Sequence, residues 1–125
     1  WLWHMPASYS FALSGSWQYW LMQIALIVAS VWLWWIIFAA RTSAFSSMFL
    51  TIGTMLQMGF LAAILVCAQY PLFEAHFLQT QAFGLSPLED QKLSGVLMWT
   101  LGIAPYAFVT LWLVTTRLLT PALER

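Results

Sequence analysis

Side chains equipped for chemistry are scarce in this chain, and they gather in a few places. His4 and Met5 are adjacent near the N-terminus. Cys67 and His76 fall near its middle. The stretch LSPLEDQKLSGVLMW, residues 85–99, holds Glu89, Asp90 and Lys92, although the whole chain has only four basic and four acidic residues. Imidazole, thioether and thiol are soft to borderline donors of the kind that suits Cu(I). His4, Met5, Cys67 and His76 are therefore the candidate metal ligands. Each also has a plainer reading: His4 as an interfacial hydrogen-bonding group, Cys67 as a small apolar residue, His76 as a loop residue. The single cysteine excludes an internal disulfide and a multi-cysteine zinc site. No serine–histidine–acid set, glycine-rich phosphate loop or HExxH is present. Glu89 and Asp90 are neighbours in sequence, and neighbouring helix residues do not face each other. The expectation is a protein that is not an enzyme, with copper the one cofactor its residues suggest.

The elements that must position these groups follow from hydropathy. The chain of 125 residues is 62% hydrophobic and 6% charged, with a mean hydropathy of +0.82. Soluble domains carry about a quarter charged residues, so this surface must face lipid. Net charge is zero, and without a basic patch nucleic acid is a poor partner. A membrane-crossing helix needs roughly 20 apolar residues. Charge-free runs predict an all-α membrane protein with three transmembrane helices: residues 17–40, 45–69 and 93–116. Residues 1–16, broken by Pro6 and Gly15, are expected to form an interfacial N-terminal segment. Residues 70–92 form a loop and the start of the third helix, and 117–125 a tail. No basic n-region precedes the first apolar run, so it does not read as a signal peptide. The chain starts at Trp1, which suggests processing or a longer parent. Arg41, Arg117 and Arg125 fall on one side, which the positive-inside rule makes cytoplasmic, and the 70–92 loop falls on the periplasmic side.

Within the third segment, Ser86, Pro87 and Glu89 read as a helix start with a capping box. Acidic residues in the first turn favour the positive helix end by about 0.3–1 kcal/mol each. That does not account for Asp90, Gln91 and Gly95. A glycine inside a helix costs about 1 kcal/mol against alanine, which is reasonable where another backbone packs closely. Asp90, Gln91 and Gly95 are accordingly expected to form a helix contact, with Tyr9, His4 or a neighbouring subunit donating to Asp90. Gln57, near Met48, Met55 and Met58, should pair with another helix, because an amide in hydrocarbon needs a partner. Gly59 with Ala63, and Gly95 with Gly102, mark close helix approaches, and Pro105 should kink the third helix.

PLEDQKLSGVLMW also resembles the "pl-DQ-lgG-lmW" signature of the CtaG family of cytochrome c oxidase assembly factors, through Asp90, Gln91, Gly95, Met98 and Trp99. WHMPASYSFAL is similar to that family's "WH-P-lYd-al" segment through Trp3, His4, Pro6, Tyr9, Ala12 and Leu13. The WLWW of the first span is similar to its "fWW". The resemblance covers nearly the whole chain. It implies a multi-pass protein of the bacterial cytoplasmic membrane, tied to haem–copper oxidase biogenesis through copper, with oxidase subunits and the lipid bilayer as partners. Three departures stand beside it. The family's histidine pair, four residues apart, falls on Tyr19 and Gln23. Its acidic "Yd" position is Ser10. Its earlier helices, with their own histidine and methionine motif, have no counterpart. Two readings stay open: an assembly factor for a copper centre, or a CtaG-derived accessory subunit without metal in a larger respiratory or photosynthetic complex.

Overall fold

The computed structural model describes residues 1–39, 41–77 and 80–119; Ala40, Leu78, Gln79 and 120–125, with Glu124 and Arg125 of the expected tail, lie outside the described residues. Five α-helices carry the fold: α1 (Pro6–Leu13), α2 (Ser16–Phe38), α3 (Ala44–Cys67), α4 (Pro87–Leu97) and α5 (Ala104–Leu113). Among the described residues there is no strand. Three helical stretches are long and apolar enough to cross a membrane: Ser16–Phe38, Ala44–Cys67 and Pro87–Arg117. The last joins α4 and α5 into 31 residues, about 46 Å at 1.5 Å per residue. That exceeds a hydrocarbon core of about 30 Å, so its charged first turns stand in the interface.

Local chemistry sets the helix ends. Ser43 caps α3 by accepting from the Ser46 amide. Ser86 caps α4, and Glu89 returns the bond to the Ser86 amide, completing the capping box. Pro105 has no N–H to offer the carbonyl one turn back. The third span answers with a wide π-type turn at Met98–Gly102, immediately before it. Such turns relieve a helix that cannot keep its regular ladder.

Helix α3 is the centre of the bundle, packed against α2, α4 and α5. At the Arg41 end, Ile37, Val109 and Leu113 form a buried cluster. Buried hydroxyls are satisfied inside it: Ser47 donates to the Ile37 carbonyl, and Thr110 donates to Thr51 across the helices at 2.9 Å. At the other end, Gly95 lies on α3. A Cβ there would fall 3.2 Å from the Ala62 carbonyl oxygen and 2.8 Å from Val66 Cγ2. Gly102 lies against Met58, and Gly59 faces Ile103 at ordinary contact distance. The N-terminal segment runs along the bundle as well as along the interface. The Trp1 indole N–H donates to Gln57 Oε1 at 2.9 Å, halfway along α3, and its ring meets Phe60. Gln57 thus takes its partner from the chain's first residue and not from another helix.

Candidate functional site

The end of the bundle opposite Arg41 contains a cavity of about 350 Å³. The N-terminal segment supplies Trp3, His4 and Tyr9 to its wall; α2 supplies Met22 and Leu26; α3 supplies Leu65. The loop adds Phe73 and His76, and the third span adds Pro87, Asp90, Gln91, Ser94 and Met98. Most of this surface is apolar. Its polar groups converge from segments far apart in sequence.

A chain of hydrogen bonds crosses the mouth of the cavity. The Asp90 carboxylate lies 3.3 Å from His76 Nδ1. His76 Nε2 lies 2.9 Å from the Tyr9 hydroxyl. An imidazole protonated on Nδ1 satisfies both contacts, donating to Asp90 and accepting from Tyr9. Desolvation raises the Tyr9 pKa and the Asp90 charge raises it further, so the phenol keeps its proton and remains a donor. The Tyr9 ring also stacks on His76 and meets Phe73 edge-on. Asp90 therefore reaches the N-terminal segment through the loop histidine. Both ring nitrogens of His76 are thus engaged by side chains of this cluster.

Gln91 is buried and bonded at both ends. Its Nε2 donates to the Leu65 carbonyl at 3.2 Å, and its Oε1 accepts from the Leu72 amide at 2.7 Å. The Leu65 carbonyl is among the last four of α3, which have no partner within their own helix. Gln91 thus ties the end of α3 to α4 and to the loop that carries His76. Asp90 and Gln91 hold the loop, while Gly95 sets how closely α4 approaches α3. Trp99 is half exposed on the outer surface.

The four candidate ligands separate. His4 and His76 share the cavity; Met5 and Cys67 do not line it. Met5 is the N-cap of α1 and 55% exposed. Cys67 is exposed. It follows the cavity residue Leu65 by two positions, which on a helix is about 200° around the axis. Among the described residues, no three His, Cys, Asp or Glu side chains are grouped to hold a metal ion. The cavity instead offers two thioethers, Met22, which sequence reasoning missed, and Met98, which entered it as a motif residue and not as a ligand. Met22 is buried on α2, and Met98 opens the wide turn before Pro105. Nothing distinguished Met22 in sequence, since methionine is ordinary packing in apolar helices. The His4 ring has no hydrogen bond to any described residue, and its surroundings, chiefly by desolvation, lower its pKa. It therefore presents a neutral imidazole. His4, Met22 and Met98 line the same cavity, and imidazole and thioether are donor types that suit Cu(I).

Tyr19 and Gln23, one turn apart on α2, close on each other: Gln23 Nε2 donates to the Tyr19 hydroxyl at 2.7 Å. Neither lines the cavity.

Three lipid-length helices, with a cavity at one end walled by the N-terminal segment and loop, define a multi-pass helical membrane protein. The family model described as cytochrome c oxidase caa3 assembly factor (Caa3_CtaG) matches residues 1–118, and the chain belongs to that family. No curated protein and no solved structure matches it.

Proposed function

We propose that this chain serves the assembly of a caa3-type cytochrome c oxidase by handling copper as cargo, held as Cu(I) by His4, Met22 and Met98. The observation that carries the reading is the convergence of one neutral imidazole and two thioethers on a single cavity. Bound Cu(I) would be the ion passed towards the oxidase centre. The chain's own residues supply the rest. Asp90 and Tyr9 hold His76 at the cavity mouth, and Gln91 holds the loop closed against α3. The role is non-catalytic, and the partners are oxidase subunits within a bacterial cytoplasmic membrane. Purified protein should take up about one equivalent of Cu(I) in competition with a chromophoric chelator. Loss of even an outer-shell partner typically costs 10–100-fold in metal affinity, so removing two direct ligands by Met22→Leu combined with Met98→Leu should weaken binding by at least about tenfold. Met5→Leu and Cys67→Ser should leave it unchanged. Absence of Cu(I) uptake by the intact protein removes this reading.

One observation favours the alternative, an accessory subunit without metal. Tyr19 and Gln23, which the CtaG resemblance places where a histidine pair is expected, satisfy each other and offer no imidazole. Stoichiometric recovery with a large membrane complex in gentle detergent, together with no Cu(I) uptake, would select it.

A further inference from the structure

At the end of the bundle away from the cavity, α2 presents a second concave surface. Val31, Trp34, Trp35 and Phe38 recur at steps of three and four, so they share one helix face. With Ala39 and Arg41 they line a groove of about 700 Å³. The groove is apolar along its length and has a cation at its end. Trp35 is 75% exposed and Val31 61%, and neither belongs to the buried cluster of Ile37, Val109 and Leu113.

Arg41 is exposed, and no described residue hydrogen-bonds or ion-pairs with its side chain. Arg117, at the same end, is engaged: it donates to the Thr42 carbonyl at 3.4 Å and lies over the Trp112 ring. The described acids, Glu74, Glu89 and Asp90, all belong to the cavity end. The Arg41 end therefore carries positive charge with no described carboxylate to balance it. A guanidinium binds a phosphate through paired N–H donors. An aromatic and aliphatic stripe beside a cation at the close of a spanning helix has the amphipathic order of a phospholipid, apolar chain then charged head.

We propose that this groove binds one anionic phospholipid, with an acyl chain along Val31, Trp34, Trp35 and Phe38 and the headgroup phosphate on Arg41. The choice of an anionic over a zwitterionic lipid follows from the local charge. A choline or ethanolamine ammonium would meet arginines and find no described carboxylate. The proposal is independent of the copper reading and uses none of its residues.

The test is lipid binding by the purified, delipidated protein in detergent, with bound lipid counted by native mass spectrometry. One phosphatidylglycerol should be retained, and phosphatidylcholine should bind about fivefold more weakly, the factor expected for one arginine near an anionic headgroup. Arg41→Gln should abolish the preference. Lys92→Gln, at the opposite end, should preserve it. Inorganic phosphate at millimolar concentration should not displace the phosphatidylglycerol, because the acyl chain contributes to binding. Phosphatidylglycerol with brominated chains should quench the wild-type tryptophan fluorescence, and Trp35→Phe should remove part of that quenching. Equal binding of the two lipids, a preference that survives Arg41→Gln, displacement by phosphate, or quenching unchanged in Trp35→Phe would each overturn the proposal.

Discussion

Gly95 leaves no room for a side chain. The Ala62 carbonyl is backbone and cannot swing aside, and Leu65 Cβ would lie 3.1 Å from an added Cβ. Overpacking a tight contact typically costs about 1–3 kcal/mol, and a leucine would have to separate α4 from α3. Separation would also pull Gln91 from the Leu65 carbonyl, leaving a buried amide short of a partner. Ser86→Ala removes a capping hydroxyl at the exposed helix start, a loss of about 0.5–2 kcal/mol. Gly95→Leu should therefore lower the unfolding midpoint in a denaturing-detergent titration clearly more than Ser86→Ala does. Equal midpoints would show that α4 and α3 do not depend on this contact. Neighbouring residues in one motif thus have different duties. Asp90 orients His76, Gln91 closes the end of α3, and Gly95 admits a backbone.

At the scale of elements, the N-terminal segment reaches distant parts of the chain through a few side-chain contacts. Besides the packing of α1 on α2, with Ala12 buried and Phe11 against Trp17, these are the Trp1–Gln57 hydrogen bond, the Trp1–Phe60 contact and the Tyr9 contacts with Phe73 and His76. Water is absent from the bilayer core, so Gln57 has little else to bond to there. Gln57→Leu removes the acceptor while leaving α3 apolar and helical. The expected result is faster amide hydrogen exchange across Leu2–Leu13, with exchange in Ala44–Cys67 unchanged, read by mass spectrometry. Unaltered exchange in Leu2–Leu13 would show that the contacts at Tyr9 and along α2 dock the segment without Gln57. The wide turn at Met98–Gly102 is a second element with a specific cause. Pro105 removes a rung from the helix ladder, and the slack appears just before it, with Met98 at the cavity wall.

For the whole molecule, charge distribution predicts an orientation. Arg41 and Arg117 lie at one end of the three spans, while Glu74, His76, Glu89, Asp90 and Lys92 lie at the other. The positive-inside rule predicts that the Arg41 end faces the cytoplasm, with the 350 Å³ cavity at the opposite, periplasmic side. Cysteines placed at positions 43 and 86 test this, in a Cys67→Ser background because the native thiol is exposed. An impermeant thiol reagent applied to intact cells should label position 86 and spare position 43. The reverse pattern would invert the orientation.

Composition and charge spacing alone fixed an all-helical chain of three lipid-crossing helices, because hydrocarbon admits little else and each apolar run is about the length of a bilayer. The capping box at Ser86 and Glu89 was equally legible, since its partners are three residues apart. The resemblance at Asp90, Gln91, Gly95, Met98 and Trp99 pointed to the family. Pairing across segments was not legible. The Tyr9–His76 contact joins residues 67 positions apart, and periodicity carries no information about which loop folds over which helix. Met22 and Met98 meet one cavity because of how α2 and the third span lean on α3. Cys67 misses it by the helical angle from Leu65. Only the tertiary structure decided which of the scarce chemical groups share a space, because that depends on packing between helices and not on the pattern within any one of them.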